Sequence, residues 1–407
     1  MKCGLLGRKL AHSYSPQIHS YFGNYVYSLF EKEPDEIETF LKNGDFSGIN
    51  VTVPYKKAII PFLDVLSPVA KQLDSVNTVI RKDGKLIGHN TDYSGFEVLV
   101  KSSGLDIVGK KILVLGSGGS SNTATAVLEE MGGRVVIISR SGENNYRNLH
   151  LHTDASVIVN TTPVGMYPDT GVSPIDLDQF PALEGVLDVI YNPARTQLLM
   201  DAQTRGLIAV NGLLMLVAQA KEASEWFSGI PLDDTLISTV HTMLRQQMEN
   251  VILIGMPGSG KTTIGKLLAE KLNMEFVDAD AELVSFSGRR IPDIFASDGE
   301  KTFRSLETDV LTQIGRRSGL VIATGGGCVT QQQNYPLLHQ NGTIFYLERD
   351  LCKLSTEGRP LSQADSLQEM YRIRKPLYES YSDFIIDNNG DCEHTLNQIL
   401  RIREGKS

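Results

Sequence analysis

Residues 255–262, Gly-Met-Pro-Gly-Ser-Gly-Lys-Thr, fit the pattern G-x-x-x-x-G-K-[ST] after an apolar strand and before a helix. In such a loop the backbone N–H groups of Gly258, Ser259 and Gly260 cradle phosphate oxygens. Lys261 reaches the β- and γ-phosphates, Thr262 sits on Mg²⁺, and Thr263 follows on the first helical turn. The pattern alone implies a nucleotide phosphotransferase or an NTPase. A second turn, Gly116-Ser117-Gly118-Gly119-Ser120-Ser121, follows the strand ILVL. Gly116 and Gly118 match the first two glycines of G-x-G-x-x-G, and Ser121 stands at the third. Small residues there let the backbone approach a pyrophosphate at a helix N-terminus. The next strand, RVVIIS, leads into Ser139-Arg140-Ser141. An NAD site presents an acidic residue to the ribose near this position, whereas Arg140 suits the 2′-phosphate of NADP. Glycine turns also serve packing alone, and a strand-end Arg is often a plain surface residue, so context must decide.

Each turn requires a strand–turn–helix unit, and two are legible, at 111–131 and 250–272. Their glycine spacings differ, so they are not copies of one repeat. Between them, 212–227 is an apolar helix broken by Gly229 and Pro231. Residues 233–248 form an amphipathic helix with Ile237, Val240, Met243, Leu244 and Met248 on one face. The next strand begins at Val251, which puts a junction near Met248 with almost no linker. Residues 1–92 alternate short strands (KCGLLG, GINVTV, NTVIRKDGKLIGHNTD) with helices, and 185–190 and 207–210 read as later strands. The fold class is α/β throughout, with mostly parallel sheets.

Composition bounds the function. The 407 residues allow two to four domains at ~100–200 residues each. With 41% hydrophobic and 21% charged residues the chain can bury cores and is not dominated by disorder. A net charge of −9 argues against a nucleic-acid partner, whose phosphates call for a basic surface. No apolar run is long enough for a membrane span. The beginning, MKCGLLGRKLAHSYS, carries Arg8, Lys9 and His12 where a signal peptide would need an apolar core. The four cysteines form no C-x-x-C pair, which disfavours zinc and disulfide frameworks. A cytoplasmic chain acting on small molecules, as a monomer or homodimer, is expected.

Several strings flank the first turn: His12-Ser13-Tyr14-Ser15-Pro16, Asn50-Val51-Thr52-Val53-Pro54-Tyr55-Lys56, Val76-Asn77-Thr78, Asn90-Thr91-Asp92, Asn160–Met166 and Tyr191-Asn192-Pro193. In this order they resemble shikimate dehydrogenase over residues 1 to about 246. The resemblance implies reduction of 3-dehydroshikimate with NADPH. It implies a substrate-binding domain at 1–92, completed by 211–246, and a Rossmann-like NADP-binding domain at 93–210. Ser13 and Ser15 would bind the substrate carboxylate, and Thr52, Asn77 and Tyr191 the ring hydroxyls. Gln219 matches the family's late substrate-binding glutamine. Gly116, Gly118, Gly119, Ser139, Arg140 and Ser141 would hold NADP. Lys56 and Asp92 match the catalytic pair, an ammonium for the developing alkoxide and a carboxylate to orient it. Lys57 stands beside Lys56; the residues alone leave both open, and the family register selects Lys56. Residues 22–50 are shorter than the family's usual segment, and its usual Asn-Arg-Thr reads Ser139-Arg140-Ser141.

The second set is Asp278-Ala279-Asp280, Gly299–Glu307 (GEKTFRSLE), Gly325-Gly326-Gly327, Arg359-Pro360-Leu361 and Arg374–Tyr378 (RKPLY). It resembles shikimate kinase over 249–407, a P-loop α/β domain like the nucleoside monophosphate kinases. The resemblance implies ATP and Mg²⁺, with Asp280 on the acceptor hydroxyls and Arg304 and Arg374 clamping the shikimate carboxylate. Gly326 would contact substrate through its backbone. Lys261 and Asp278 would be catalytic, with Asp278 and Thr262 at the metal, and Arg359 in a lid over the phosphates. The stretch Cys352–Gly358 lacks a further lid Arg of the family, and Lys353 is the candidate replacement.

Together these point to a bifunctional enzyme running from 3-dehydroshikimate to shikimate 3-phosphate, in chorismate and aromatic amino acid biosynthesis. Two rivals are an NAD-dependent quinate/shikimate dehydrogenase fused to a kinase and a non-catalytic metabolite sensor. Arg140 speaks against the first, and the intact Lys56, Asp92, Lys261, Thr262 and Asp278 speak against the second.

Overall fold

The computed structural model describes residues 1–10, 13–354 and 364–405. Its contacts form two compact units. One comprises Met1–Val164, Ser173–Tyr191 and Leu198–Met243; the other comprises Gly165–Val172, Asn192–Gln197 and Leu244–Ser407.

The first unit holds two sheets. Strands β1 (Lys2–Gly7), β2 (Val26–Glu31), β3 (Gly48–Val51), β4 (Val65–Leu66), β5 (Thr78–Lys82) and β6 (Lys85–His89) lie in the order β2-β1-β3-β5-β6-β4. This sheet is mixed: β5 runs antiparallel to β3 and β6. The cause is local, because Asp83 and Gly84 both take positive φ (50° and 75°) between paired Lys82 and Lys85. That is the chemistry of a tight Asp-Gly hairpin turn. Helix Leu213–Ser228 covers one face through Ala223 and Phe227. A Cβ on Gly48 would lie 2.2 Å from the Phe227 ring, so glycine permits this close approach.

Strands β7 (Lys111–Leu115), β8 (Arg134–Ile138), β9 (Val157–Asn160), β10 (Gly185–Asp188) and β11 (Ile208–Val210) form an all-parallel sheet, β11-β10-β9-β7-β8. Its central strands are apolar almost without interruption, since separate cores cover both faces. The strand order reverses beside β7, the point at which open α/β sheets bind ligands at the strands' carboxyl ends.

The second unit repeats this logic with β12 (Asn250–Ile254), β13 (Glu275–Asp278), β14 (Leu320–Ala323), β15 (Gly342–Glu348) and β16 (Phe384–Asp387), all parallel, in the order β13-β14-β12-β15-β16. Two cores again sandwich the sheet, and the order reverses at β12, which runs into the loop 255–260.

The division differs from a clean break at Met248. Segment 192–197 belongs to the second unit because Arg195 donates to the carbonyls of His339 (2.8 Å) and Gly342 (3.1 Å), and Ala194 N–H donates to Asn341 Oδ1 (2.9 Å). No helix among the described residues is long and apolar enough to cross a membrane.

Candidate active sites

Lys56 lies on the short helix Tyr55–Ala58 after β3, and Asp92 is the first residue of helix Asp92–Ser103 after β6. Their side chains meet at 2.6 Å, with Lys56 24% and Asp92 14% exposed. Lys57 points elsewhere and pairs with Asp74 at the surface, so of the two neighbouring lysines it is Lys56 that meets Asp92. Asn90 fixes the turn into the helix: its Oδ1 accepts from Asp92 N–H (3.1 Å), and its Nδ2 donates to the Ser75 carbonyl (2.9 Å).

Beside this pair stands a polar cluster. Buried Asn77 accepts from Thr91 N–H at 2.8 Å, donates to Thr91 Oγ1 at 3.1 Å and reaches Gln219 Oε1 at 3.5 Å. Gln219 donates to the Leu216 carbonyl (3.0 Å), which orients its amide. Helices Asp92–Ser103 and Leu213–Ser228 approach this closely because a Cβ on Gly95 would already sit 3.0 Å from Gln219 Cβ. Ser15 opens helix Ser15–Phe22, and Ser13 Oγ accepts its N–H at 3.2 Å. Thr52 is held at the end of β3 by its N–H on the Leu6 carbonyl (2.9 Å). The Tyr191 ring meets Tyr14 edge-on at 6.1 Å, and burial raises the Tyr191 phenol pKa, keeping it a neutral donor. Thr91 and Tyr14 lie inside the quoted strings but had no assigned role; only the fold makes Thr91 the bridge between Asn77 and Gln219.

The first glycine turn suits a pyrophosphate. Gly116 has φ 114°, and a Cβ there would lie 2.7 Å from Thr161 Oγ1. A Cβ on Gly118 would meet nothing within 4 Å, so open space faces the helix Gly119–Glu130. Ser121, at the third glycine position, donates its hydroxyl back to the Gly116 carbonyl (2.8 Å) and braces the turn. Ser139 is buried and donates its N–H to the Asn144 carbonyl. Arg140 and Ser141 are exposed just beyond β8, and Arg140 has no ion pair among the described residues.

In the second unit the loop 255–260 leads into helix Lys261–Leu272, with Gly255, Gly258 and Gly260 at positive φ. Buried Lys261 is drawn over the loop, donating to the carbonyls of Gly255 (2.9 Å) and Met256 (3.0 Å). Thr262 Oγ1 donates to Asp278 Oδ2 at 2.9 Å, and Asp278 Oδ1 accepts from Asp280 N–H. Among the described residues no three His, Cys, Asp or Glu side chains converge as a metal cage. The hydroxyl–carboxylate pair of Thr262 and Asp278 fits Mg²⁺, which favours a few oxygen ligands plus substrate phosphates.

A charged cluster converges on Gly325–Gly327. A Cβ on Gly325 would come within 2.7 Å of Glu307 Oε1 and 2.8 Å of Asp280 Oδ1; one on Gly327 would clash with the Arg304 guanidinium. Arg304 pairs with Glu307 (2.8 Å) and Glu300 (3.0 Å). Arg374 donates to the Gly326 carbonyl at 3.0 Å, and Tyr378 donates there too. Glu307 is buried, which raises its pKa, and Arg304 opposes that shift. Glu307 had no role in the sequence reading; its i,i+3 spacing from Arg304 was the available signal. Lys353 lies at the surface, 3.7 Å from Asp350, and donates to the Asn389 carbonyl at 3.1 Å. Arg359 lies outside the described residues.

Residues 257–403 match the family model described as shikimate kinase, and residues 5–79 match the shikimate dehydrogenase substrate binding domain. A shikimate dehydrogenase (NADP(+)) from Clostridium perfringens is 35% identical over 264 residues, covering 60% of this chain and 97% of its own. The chain belongs to the shikimate dehydrogenase family. Shikimate dehydrogenase 1 from Peptoclostridium difficile superposes with a TM-score of 0.56 at 33% identity, covering 60% of this chain and 97% of that one. A chorismate mutase/shikimate 5-dehydrogenase fusion protein from Clostridium acetobutylicum gives 0.58 at 32%, with the same coverage. Behind its shikimate dehydrogenase part the chain carries a shikimate kinase domain, and it is a bifunctional oxidoreductase and kinase of the shikimate pathway.

Proposed function

We propose that the chain reduces 3-dehydroshikimate to shikimate with NADPH and phosphorylates shikimate with ATP and Mg²⁺ to shikimate 3-phosphate. The observation that carries this reading is that each glycine turn shares its compact unit with its own charged acceptor cluster. These are Lys56–Asp92 beside Asn77, Thr91 and Gln219, and Arg304–Glu307–Asp280 around Gly325–Gly327.

In the reductase, Lys56 stabilises the oxygen on which negative charge grows and supplies its proton, while Asp92 holds the ammonium in place. Ser13 and Ser15 take the carboxylate, and Thr52, Asn77, Tyr191 and Gln219 the rest of the substrate. NADPH, when bound, supplies the hydride; the turn at Gly116, Gly118 and Gly119 would hold its pyrophosphate, with open space at Gly118, and Ser139, Arg140 and Ser141 would hold its 2′-phosphate. In the kinase, Thr262 and Asp278 would hold Mg²⁺, which neutralises phosphate charge when bound. Lys261, at the start of its helix, is placed for the phosphate oxygens. Asp280 accepts from the acceptor hydroxyls, and Arg304 and Arg374 engage the carboxylate, a use suited to the fork of guanidinium donors. We read 1–92 with 211–246 as the substrate-binding domain, 93–210 as the NADP-binding domain and 249–407 as the kinase domain.

The direct test is turnover by the purified chain: NADPH oxidation that requires 3-dehydroshikimate, and ADP release that requires shikimate. Absence of both with tight metabolite binding would favour a sensor. Two variants sharpen the assignment. Arg140→Ala should weaken NADPH by roughly 10–150-fold, the worth of a charge-assisted hydrogen bond, and leave NADH nearly unchanged. An unaltered NADPH/NADH preference would mean that another residue reads the phosphate. Asp280→Asn should raise the KM for shikimate without changing the Kd for ADP, since the lost charge faces the acceptor; a shift in ADP affinity instead would remove Asp280 from the acceptor site.

A further inference from the structure

We propose that Arg349 is a nucleotide-binding residue of the kinase domain, contacting the phosphate chain of ATP. The inference rests on the kinase reading above.

Arg349 immediately follows β15, which pairs with β12 so that Tyr346 lies opposite Ile254. The end of β15 therefore abuts the phosphate loop: a Cβ on Gly255 would sit 2.8 Å from the Leu347 carbonyl. The guanidinium reaches the far end of the same loop. A Cβ on Gly260, the residue that caps helix Lys261–Leu272, would lie 3.5 Å from Arg349 Nη1 and 3.5 Å from Asn388 Nδ2.

No protein anion answers this charge among the described residues. Arg349 makes no ion pair there, and its Nε is buried without a hydrogen-bond partner. The nearby carboxylates are engaged elsewhere: Glu348 with Lys375 at 2.6 Å, Asp350 with Lys353, and Asp387 with the N–H and Nδ2 of Asn389. Asn388 offers no acceptor either. Its Nδ2 donates to the Ser259 carbonyl, and its Oδ1 accepts from Thr395. A permanently charged, partly buried guanidinium without an anion is costly. Beside a loop whose backbone is shaped for phosphate, the missing anion is the phosphate chain, which guanidinium binds with two parallel donors.

The test is calorimetric titration of the full chain with ADP and with inorganic tripolyphosphate, for the wild type, Arg349→Ala, Arg349→Gln and Arg349→Lys. The expected result is a roughly 10–100-fold rise in Kd for both probes in the Ala and Gln variants, with Lys intermediate. NADPH oxidation with 3-dehydroshikimate should be unchanged. If Arg349→Ala loses its unfolding transition, Arg349→Gln decides. ADP affinity equal to wild type overturns the proposal. ADP weakened with tripolyphosphate unaffected also overturns it, since the contact would then be with the base. A wild-type chain that phosphorylates shikimate while Arg349→Gln binds both probes normally refutes Arg349 alone; a wild-type chain that binds neither probe and does not phosphorylate shikimate refutes the kinase reading itself.

Discussion

Lys56→Ala should lower the rate of 3-dehydroshikimate reduction by at least ~10²–10³, because the same ammonium stabilises the developing oxyanion and supplies its proton. Shikimate phosphorylation by the same protein should stay at the wild-type rate. The Lys56 side chain is three-quarters buried, and its ammonium pairs with Asp92 at 2.6 Å. Water entering an alanine-sized gap cannot replace a fixed charge at the carbonyl oxygen, because water must reorient as that charge develops. Lys57→Ala is the matched control. It removes an equal charge one residue away, but from a surface pair with Asp74, so reductase turnover should hardly move. Stopped NADPH oxidation at saturating substrate measures both. Near-normal oxidation by Lys56→Ala, or loss in Lys57→Ala, would reverse the assignment.

Lys261→Ala should remove shikimate phosphorylation by a similar ~10²–10³ while the reductase runs normally, because positioning and positive charge supply most of the catalysis of phosphoryl transfer. Lys261 also ties its loop through the Gly255 and Met256 carbonyls, so the variant could lose loop order as well as charge. The two effects separate in the nucleotide: loss of charge alone lowers kcat with ADP still bound, whereas a disordered loop abolishes ADP binding. Full kinase activity in Lys261→Ala would remove the loop 255–262 from the reaction.

Much of the architecture was legible because parallel sheets with both faces covered write themselves as unbroken apolar strands. ILVL before Gly116 and VILIG before Lys261 each gave strand, turn and helix together. The mixed first sheet was less legible. Its Asp83-Gly84 hairpin sat within a string read as a single run, and edge strand β2 (VYSLFE) mixes polar and apolar residues without a buried face of its own. At the sites, residue type and local string made Lys56, Lys57 and Asp92 candidates, but which of two adjacent lysines faces the carboxylate depends on the helical turn between them. Thr91 acts by joining Asn77 to Gln219, far apart in sequence, and no local pattern carries that; Glu307 pairs with Arg304 one helical turn away, a spacing the sequence does show. The attachment of 192–197 to the second unit depends on carbonyls at the ends of distant elements, which have no signature in sequence.

The central claim is that one chain carries two independent, consecutive reactions. It is tested most directly by following ring-labelled 3-dehydroshikimate by NMR in the presence of NADPH, ATP and Mg²⁺, with the wild type and the two lysine variants. The wild type should convert the label through shikimate to shikimate 3-phosphate. Lys56→Ala should leave 3-dehydroshikimate unconsumed yet phosphorylate added shikimate, and Lys261→Ala should stop at shikimate. A wild-type reaction that forms no shikimate 3-phosphate, or a single variant that blocks both steps, would contradict the account.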